Sequence, residues 1–369
     1  MKRGWFGAFA TLLGTTIGAG IFGIPYVVAK AGLFTGILVI ILVTLIVGTI
    51  SLYLAEILLR TKEHHQLIGL GEIYFGRTGK FLIAAAMIFQ IYGALVAYSI
   101  GVGEALASIL NLNPLIISII FIAVLSFLIY FGIKIFQGSE EILASLVIFA
   151  VLLITIFSIK YIKLENLTGF SIKNIFIPYG VVLFASLGIF AVPEMKKELT
   201  DKKLLKRSVI TGVSVAAIVY IIFAIVVVGV TGANTTEVAT VGFGIEIGKW
   251  MIILANLFAF LTMATAFLSL GFELKDAYYS DYKLSNIVSW LLVVIVPVTF
   301  VLLNIIDFIR IIELSAVIGD GLMLTLITIM HSKAKKIGKR KPEFTVYGSW
   351  WLKTIFIILF IVAAVITFR

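Results

Sequence analysis

Gly14-Thr15-Thr16-Ile17-Gly18-Ala19-Gly20-Ile21-Phe22-Gly23-Ile24-Pro25 places four glycines and a proline within twelve residues of an otherwise apolar run. Glycine disfavours a helix interior by about 1 kcal/mol relative to alanine, and proline removes a backbone donor. The run, residues 5–31, exceeds the roughly 20 apolar residues that a helix needs to span a bilayer. This composition therefore predicts a membrane helix broken near its middle. Backbone opened at that depth must be satisfied by protein, water or ligand, so broken spans tend to line cavities.

The rest of the chain fits a membrane setting. Of 369 residues, 61% are apolar and 13% charged, whereas soluble domains are about half apolar and a quarter charged. Eleven apolar runs are long enough to cross, approximately 5–31, 33–59, 81–109, 114–134, 140–161, 175–195, 207–231, 248–274, 284–303, 307–330 and 350–368. This makes an all-α integral membrane protein with about 11 transmembrane helices. Met1-Lys2-Arg3 resembles the start of a signal peptide. No small-residue cleavage site follows, so the first run is expected to belong to the mature protein. The absence of cysteine excludes disulfides, thiolate metal sites and cysteine nucleophiles.

The formal net charge of +10 raises the question of nucleic acid, and the positions of the charges answer it. With the N-terminus inside, 7 of the 29 basic residues fall outside (Lys30, Lys160, Lys163, Lys173, Lys249, Arg310 and Arg369) and the other 22 inside. The inner set includes Lys2, Arg3, Lys134, Lys353 and the runs 196–207 and 333–341. That bias follows the positive-inside rule, giving a multi-pass cell-membrane protein with a cytoplasmic N-terminus and an extracellular C-terminus. The basic runs lack interleaved aromatics and adjoin membrane helices, so lipid phosphates, and not nucleic acid, are their expected contacts.

A second break is expected in the sixth run. It contains Pro178-Tyr179-Gly180, Ala185-Ser186-Leu187-Gly188 and Pro193-Glu194. Runs one and six are five apart, as expected of two inverted halves of five helices, and matching interruptions point to a transporter's substrate site. The division is residues 1–161, 175–330, and a basic loop with helix 11 at 331–369. Two other readings compete. Gly18 to Gly23 matches a dinucleotide fingerprint, which needs a soluble βαβ context that a membrane run does not provide. Gly14 and Gly18 also form a GxxxG pair, so helix packing stays open as the reason for the glycines.

The first-run pattern, from Gly14 through Pro25-Tyr26 to Ala31-Gly32, resembles the first-helix signature of the amino acid/auxin permease family. It is similar also to the hydroxy- and aromatic-amino-acid permeases of the same amino acid–polyamine–organocation superfamily. Leu54-Ala55-Glu56, Tyr98-x-x-Gly101-x-Gly103 and Pro193-Glu194 add weaker matches. The resemblance implies a LeuT-type 5+5 inverted repeat with helices 1 and 6 broken. It further implies a secondary amino-acid symporter whose site lies between the breaks. Half-helix N-termini present free N–H groups to a carboxylate. By that analogy the amides of Ala19, Gly20 and Ile21 take the substrate carboxylate, close to Gly18. Carbonyls of Ile17, Phe184, Ala185 and Leu187, beside Ser186, take the ammonium. Tyr98, with Tyr92, Phe184, Phe190 and Phe267, supplies candidates for the side-chain pocket.

The coupling ion is expected to be H+, with Na+ as the alternative. A sodium site by analogy uses carbonyls of Gly14 and Ile17 with hydroxyls of run eight; there Thr265-Ala266 lacks the second hydroxyl, although Thr262 lies nearby. Proton coupling needs a carboxyl at membrane depth, where ionisable residues are functional hypotheses by default. Asp320, between Gly319 and Gly321 in run ten, is that residue, with a structural buried acid as the alternative. Glu56, Glu194 and Glu273 near the inner ends are candidates for gating pairs, Glu140 and Glu141 weaker ones, and Glu104 is placed at an outer vestibule. The three histidines are assigned to inner loops or their edges, and no HExxH motif appears, so an intramembrane enzyme is not expected. A non-transporting sensor on the same fold remains the other alternative. No cofactor and no obligate protein partner are implied beyond an amino acid and the bilayer.

Overall fold

The computed structural model describes residues 4–62, 65–132 and 140–367, with side chains for all of these except 140–144, 280 and 281. Lys2, Arg3, His64, Lys134 and Arg369, and the side chains of Glu140 and Glu141, lie outside the described residues. Every regular element among the described residues is a helix. In chain order they are α1 (Trp5–Thr16), α2 (Gly20–Ala31), α3 (Leu33–Arg60), α4 (Leu67–Leu110), α5 (Pro114–Phe131) and α6 (Glu140–Ser158). There follow α7 (Tyr179–Ser186), α8 (Ala191–Glu198), α9 (Leu204–Thr231), α10 (Ala239–Ile247), α11 (Lys249–Asp276), α12 (Asn286–Leu303), α13 (Phe308–Leu314), α14 (Gly321–Ile337) and α15 (Trp350–Thr367).

Among the described residues, nine spans are long and apolar enough to cross a membrane, and the bent pair α1/α2 makes ten. The fifth expected run, 140–161, forms α6 and the short turn after it, and its described apolar part, Ser145–Tyr161, is shorter. The outer surface is that of a protein in lipid. Leu45, Phe127, Ile295 and Ile358 are exposed on α3, α5, α12 and α15, and apolar exposure on this scale is unusual for a soluble monomer. Threonine hydroxyls within the spans bond back to carbonyls one turn earlier, as Thr16 does to Leu12 O at 2.7 Å, so lipid meets few free donors.

Two boundaries differ from the sequence reading. The run expected at 81–109 belongs to a helix that begins at Leu67 and is kinked at Gly76, where φ is 69°. The run at 248–274 is preceded by α10, from which Gly248, at φ 128°, separates it. Both turns need a conformation that side chains with a Cβ rarely adopt.

Local conformations recur along the chain. α5 and α12 each have 18 residues and start 172 residues apart (286 − 114). The same interval separates left-handed Asn111 from Lys283, the left-handed C-caps Gly132 and Asn304, and the kink glycines Gly76 and Gly248. α3 and α9 each have 28 residues.

Candidate functional site

The two breaks adopt one conformation. Ile17 has φ −85° and ψ 90°; Leu187 has φ −82° and ψ 76°. Each sits in a tight turn in which the next amide bonds back two residues, Gly18 N–H to Thr16 O at 3.1 Å and Gly188 N–H to Ser186 O at 2.9 Å. That is close to the inverse γ-turn. The following caps also match, with Ala19 at φ −62°, ψ −24° and Phe190 at φ −62°, ψ −27°. The first break bends its two helices by 59°.

The breaks lie directly against one another. A Cβ on Gly20 would sit 2.6 Å from both Cα and Cβ of Ala185, so glycine is required there for α2 to reach α7. A Cβ on Gly188 would collide with the Thr16 hydroxyl. Gly18 faces Tyr98, where its Cβ would lie 3.4 Å from the Tyr98 hydroxyl oxygen. A residue that the sequence reading missed joins the two breaks from α9. The hydroxyl of fully buried Tyr220 is 2.5 Å from Ala185 O and 3.0 Å from Thr16 O. A lone phenol among valines, isoleucines and alanines in the middle of an apolar run was the available signal.

Several backbone groups at the breaks stay open. Among the described residues, the amides of Ala19, Gly20 and Ile21 have no backbone partner, as expected of the first turn of a helix. The carbonyls of Ile17 and Leu187 are likewise unpaired. Of the other carbonyls considered for an ammonium, Phe184 O accepts Leu187 N–H at 3.3 Å and Ala185 O accepts from Tyr220.

Asp320 is fully buried at the end of a π-helical stretch, Ser315–Asp320, between α13 and α14. Neither of its carboxyl oxygens has a hydrogen-bond partner among the described residues. It lies within electrostatic range of the Tyr98 and Tyr179 hydroxyls. The Tyr179 hydroxyl, Ser186 Oγ and Gln90 Oε1 are also buried and unpartnered. Gly319 packs against Gln90, where its Cβ would be 2.9 Å from that of Gln90. Buried polar groups are usually paired, so an unpaired set beside a helix break needs an explanation. On α11, the hydroxyls of Thr262 and Thr265 bond within their own helix, to Phe258 O and Thr262 O, both at 2.9 Å. Gly14 is half-buried on α1.

The acids singled out as gates have different surroundings. Glu56 is fully buried and accepts from Arg60 Nε at 2.9 Å and Nη2 at 2.8 Å, from Val346 N–H at 2.7 Å, and pairs with His331 Nε2 at 2.9 Å. This ties the segment after α14 to α3. His331, expected in an inner loop or at its edge, is fully buried within α14, stacked on Tyr53 with ring centroids 4.1 Å apart. Lys353, counted with the inner basic residues at the start of the last run, is buried within α15 and donates to Ser332 Oγ at 2.8 Å. Glu194 accepts from Gln66 at 2.6 Å and faces Lys197 at 3.5 Å, while Glu273 is exposed on α11. Glu104 lies within electrostatic range of Glu237 and Asp307. A separate groove of about 580 Å³ between α5 and α12 is lined by Ile122, Phe127, Trp290 and Val294 among other apolar residues. It lies away from both breaks, and its lining suits a lipid chain better than a zwitterion.

The chain matches the tryptophan/tyrosine permease family over residues 1–368. It belongs to that family. The permease is 27% identical to "Tyrosine-specific transport system 1" of Haemophilus influenzae over 288 residues, 73% of this chain and 72% of that protein. It is 25% identical to "Glutamine transporter 2" of Aliivibrio fischeri over 354 residues, 92% of this chain and 90% of that protein. The permease is thus a multi-pass membrane protein of amino-acid transport and not an enzyme.

Proposed function

We propose that this permease is a proton-coupled symporter that carries a neutral or aromatic amino acid by alternating access. The observation that carries the reading is the pair of equivalent breaks in contact. Together they offer three open amides and two open carbonyls within one buried region. A zwitterion needs both sets only a few ångströms apart, and helix N-termini favour its carboxylate. The relatives' names, one for tyrosine and one for glutamine, support an uncharged side chain that ends in a hydrogen-bond donor.

The recurrence at 170–172 residues supports a LeuT-type 5+5 repeat, residues 1–161 against 175–330, with helices 1 and 6 broken and 331–369 appended. Asp320 is the proton-carrying group in this reading, because a buried carboxyl without partners gains most from accepting a proton. Sodium is the alternative ion, through Gly14, Ile17, Thr262 and Thr265. The N-terminus is cytoplasmic and the C-terminus extracellular by the distribution of basic residues. Counterflow of labelled tyrosine in proteoliposomes, which needs no ion gradient, is the test. Accumulation against preloaded unlabelled tyrosine is expected; binding without any counterflow would instead identify a sensor.

A further inference from the structure

The geometry points to Tyr220 as the residue that positions the ammonium half of the amino-acid site, by clasping the inner ends of both broken helices with one hydroxyl. The inference rests on the amino-acid transporter reading and names the part of that site which the breaks do not supply themselves. The Tyr220 oxygen is 2.5 Å from Ala185 O and 3.0 Å from Thr16 O. The single phenol hydrogen is shared between the two carbonyls as a three-centre bond, with its shorter arm to Ala185 O; Thr16 O also accepts from Gly18 N–H.

Two consequences follow. Ala185 O spends one of its two lone pairs on Tyr220, so the carbonyls with no partner are Ile17 O and Leu187 O, one from each break and in matching turns. The clasp also fixes the separation between the ends of α1 and α7, and thereby the spacing of those two carbonyls. Close contacts of Gly20 with Ala185 and of Gly188 with Thr16 hold the same ends from either side of the break, but neither is a hydrogen bond. The ligand class is an α-amino acid with a primary ammonium, which alone offers hydrogens to both carbonyls and keeps one for a third acceptor.

The test is Tyr220→Phe, which retains the buried ring, measured by labelled tyrosine uptake in proteoliposomes. KM is expected to rise about tenfold, the factor of one net hydrogen bond, with Vmax within about threefold of the parent. A fall in Vmax alone, or KM within about twofold in the folded variant, overturns the proposal. A second measurement does not depend on transport. The chain has no cysteine, so spin labels at Phe6→Cys on α1 and Lys173→Cys, exposed just before α7, report the separation free of background. Tyr220→Phe should broaden that distance distribution, and an unchanged distribution counts against the clasp. If Tyr220→Phe fails to fold, 3,5-difluorotyrosine at 220, a stronger donor of nearly the same shape, should shift KM; an unmoved KM overturns the proposal. Absence of both tyrosine and glutamine uptake by the parent would defeat the transporter reading, while the distance measurement would still decide the clasp.

Discussion

Glu56→Gln changes two atoms' chemistry and almost no volume, which makes it a sharp probe of the lock between α3 and the segment after α14. The carboxylate accepts from Arg60 on one oxygen and meets His331 and Val346 N–H on the other. A carboxamide has one accepting oxygen, so its NH2 must face either the Arg60 fork or the Val346 amide, donor against donor. At least one charge-assisted bond is lost, each of about 1.5–3 kcal/mol, and Arg60 loses its counter-charge. Breaking one side of a buried pair costs about 3–5 kcal/mol; because Arg60 is 16% exposed, the lower end applies. About 3 kcal/mol corresponds to a roughly hundredfold larger opening constant. Amide hydrogen exchange read by mass spectrometry over 338–349 measures it, since the Val346 amide is held by Glu56 itself. Exchange there should accelerate roughly hundredfold and thermal unfolding in detergent should move down. Unchanged exchange and melting in Glu56→Gln would refute the reasoning.

Glycine replacements separate packing from binding. Gly20→Ala drives a methyl into Ala185 backbone and should cost about 1–3 kcal/mol of stability, read by thermal unfolding. Gly18→Ala meets only the Tyr98 hydroxyl at 3.4 Å, so it should fold normally yet weaken tyrosine binding, read by equilibrium binding in detergent. Gly4→Ala, with nothing within 4 Å, should be silent in both assays. Asp320→Asn keeps the shape and removes the exchangeable proton, so it should retain tyrosine binding and counterflow but lose accumulation driven by a proton gradient; continued accumulation would make Asp320 structural.

How much of this was legible in the sequence depended on whether a feature was local. The first break announced itself because Gly14, Gly18, Gly20, Gly23 and Pro25 act on the backbone where they stand. The second break was legible from Ser186-Leu187-Gly188, which matches Thr16-Ile17-Gly18 only in residue type: a hydroxyl, a branched aliphatic and a glycine. The recurrence of the halves was not legible residue by residue, since it resides in conformation: Asn111 and Lys283 share a left-handed φ, as do Gly132 and Asn304, with different side chains. α10 was missed because Ala239–Ile247 is short and its boundary is set by Gly248 alone. The Tyr220 clasp and the Glu56–His331 pair join residues 204 and 275 positions apart, and only tertiary packing brings them together. His331 was expected in or beside a loop because its neighbours Lys333, Lys335 and Lys336 read as one, although the helix continues to Ile337.

The central claim is that the two clasped breaks hold an amino acid which a proton gradient then drives across the bilayer. Net uptake of labelled tyrosine into proteoliposomes, with proton and sodium gradients imposed separately, tests it most directly. The account predicts accumulation under an inward proton gradient that collapses with a protonophore and is indifferent to sodium. Accumulation that requires sodium would contradict the proton assignment, and no accumulation of tyrosine or glutamine under either gradient would contradict the transporter itself.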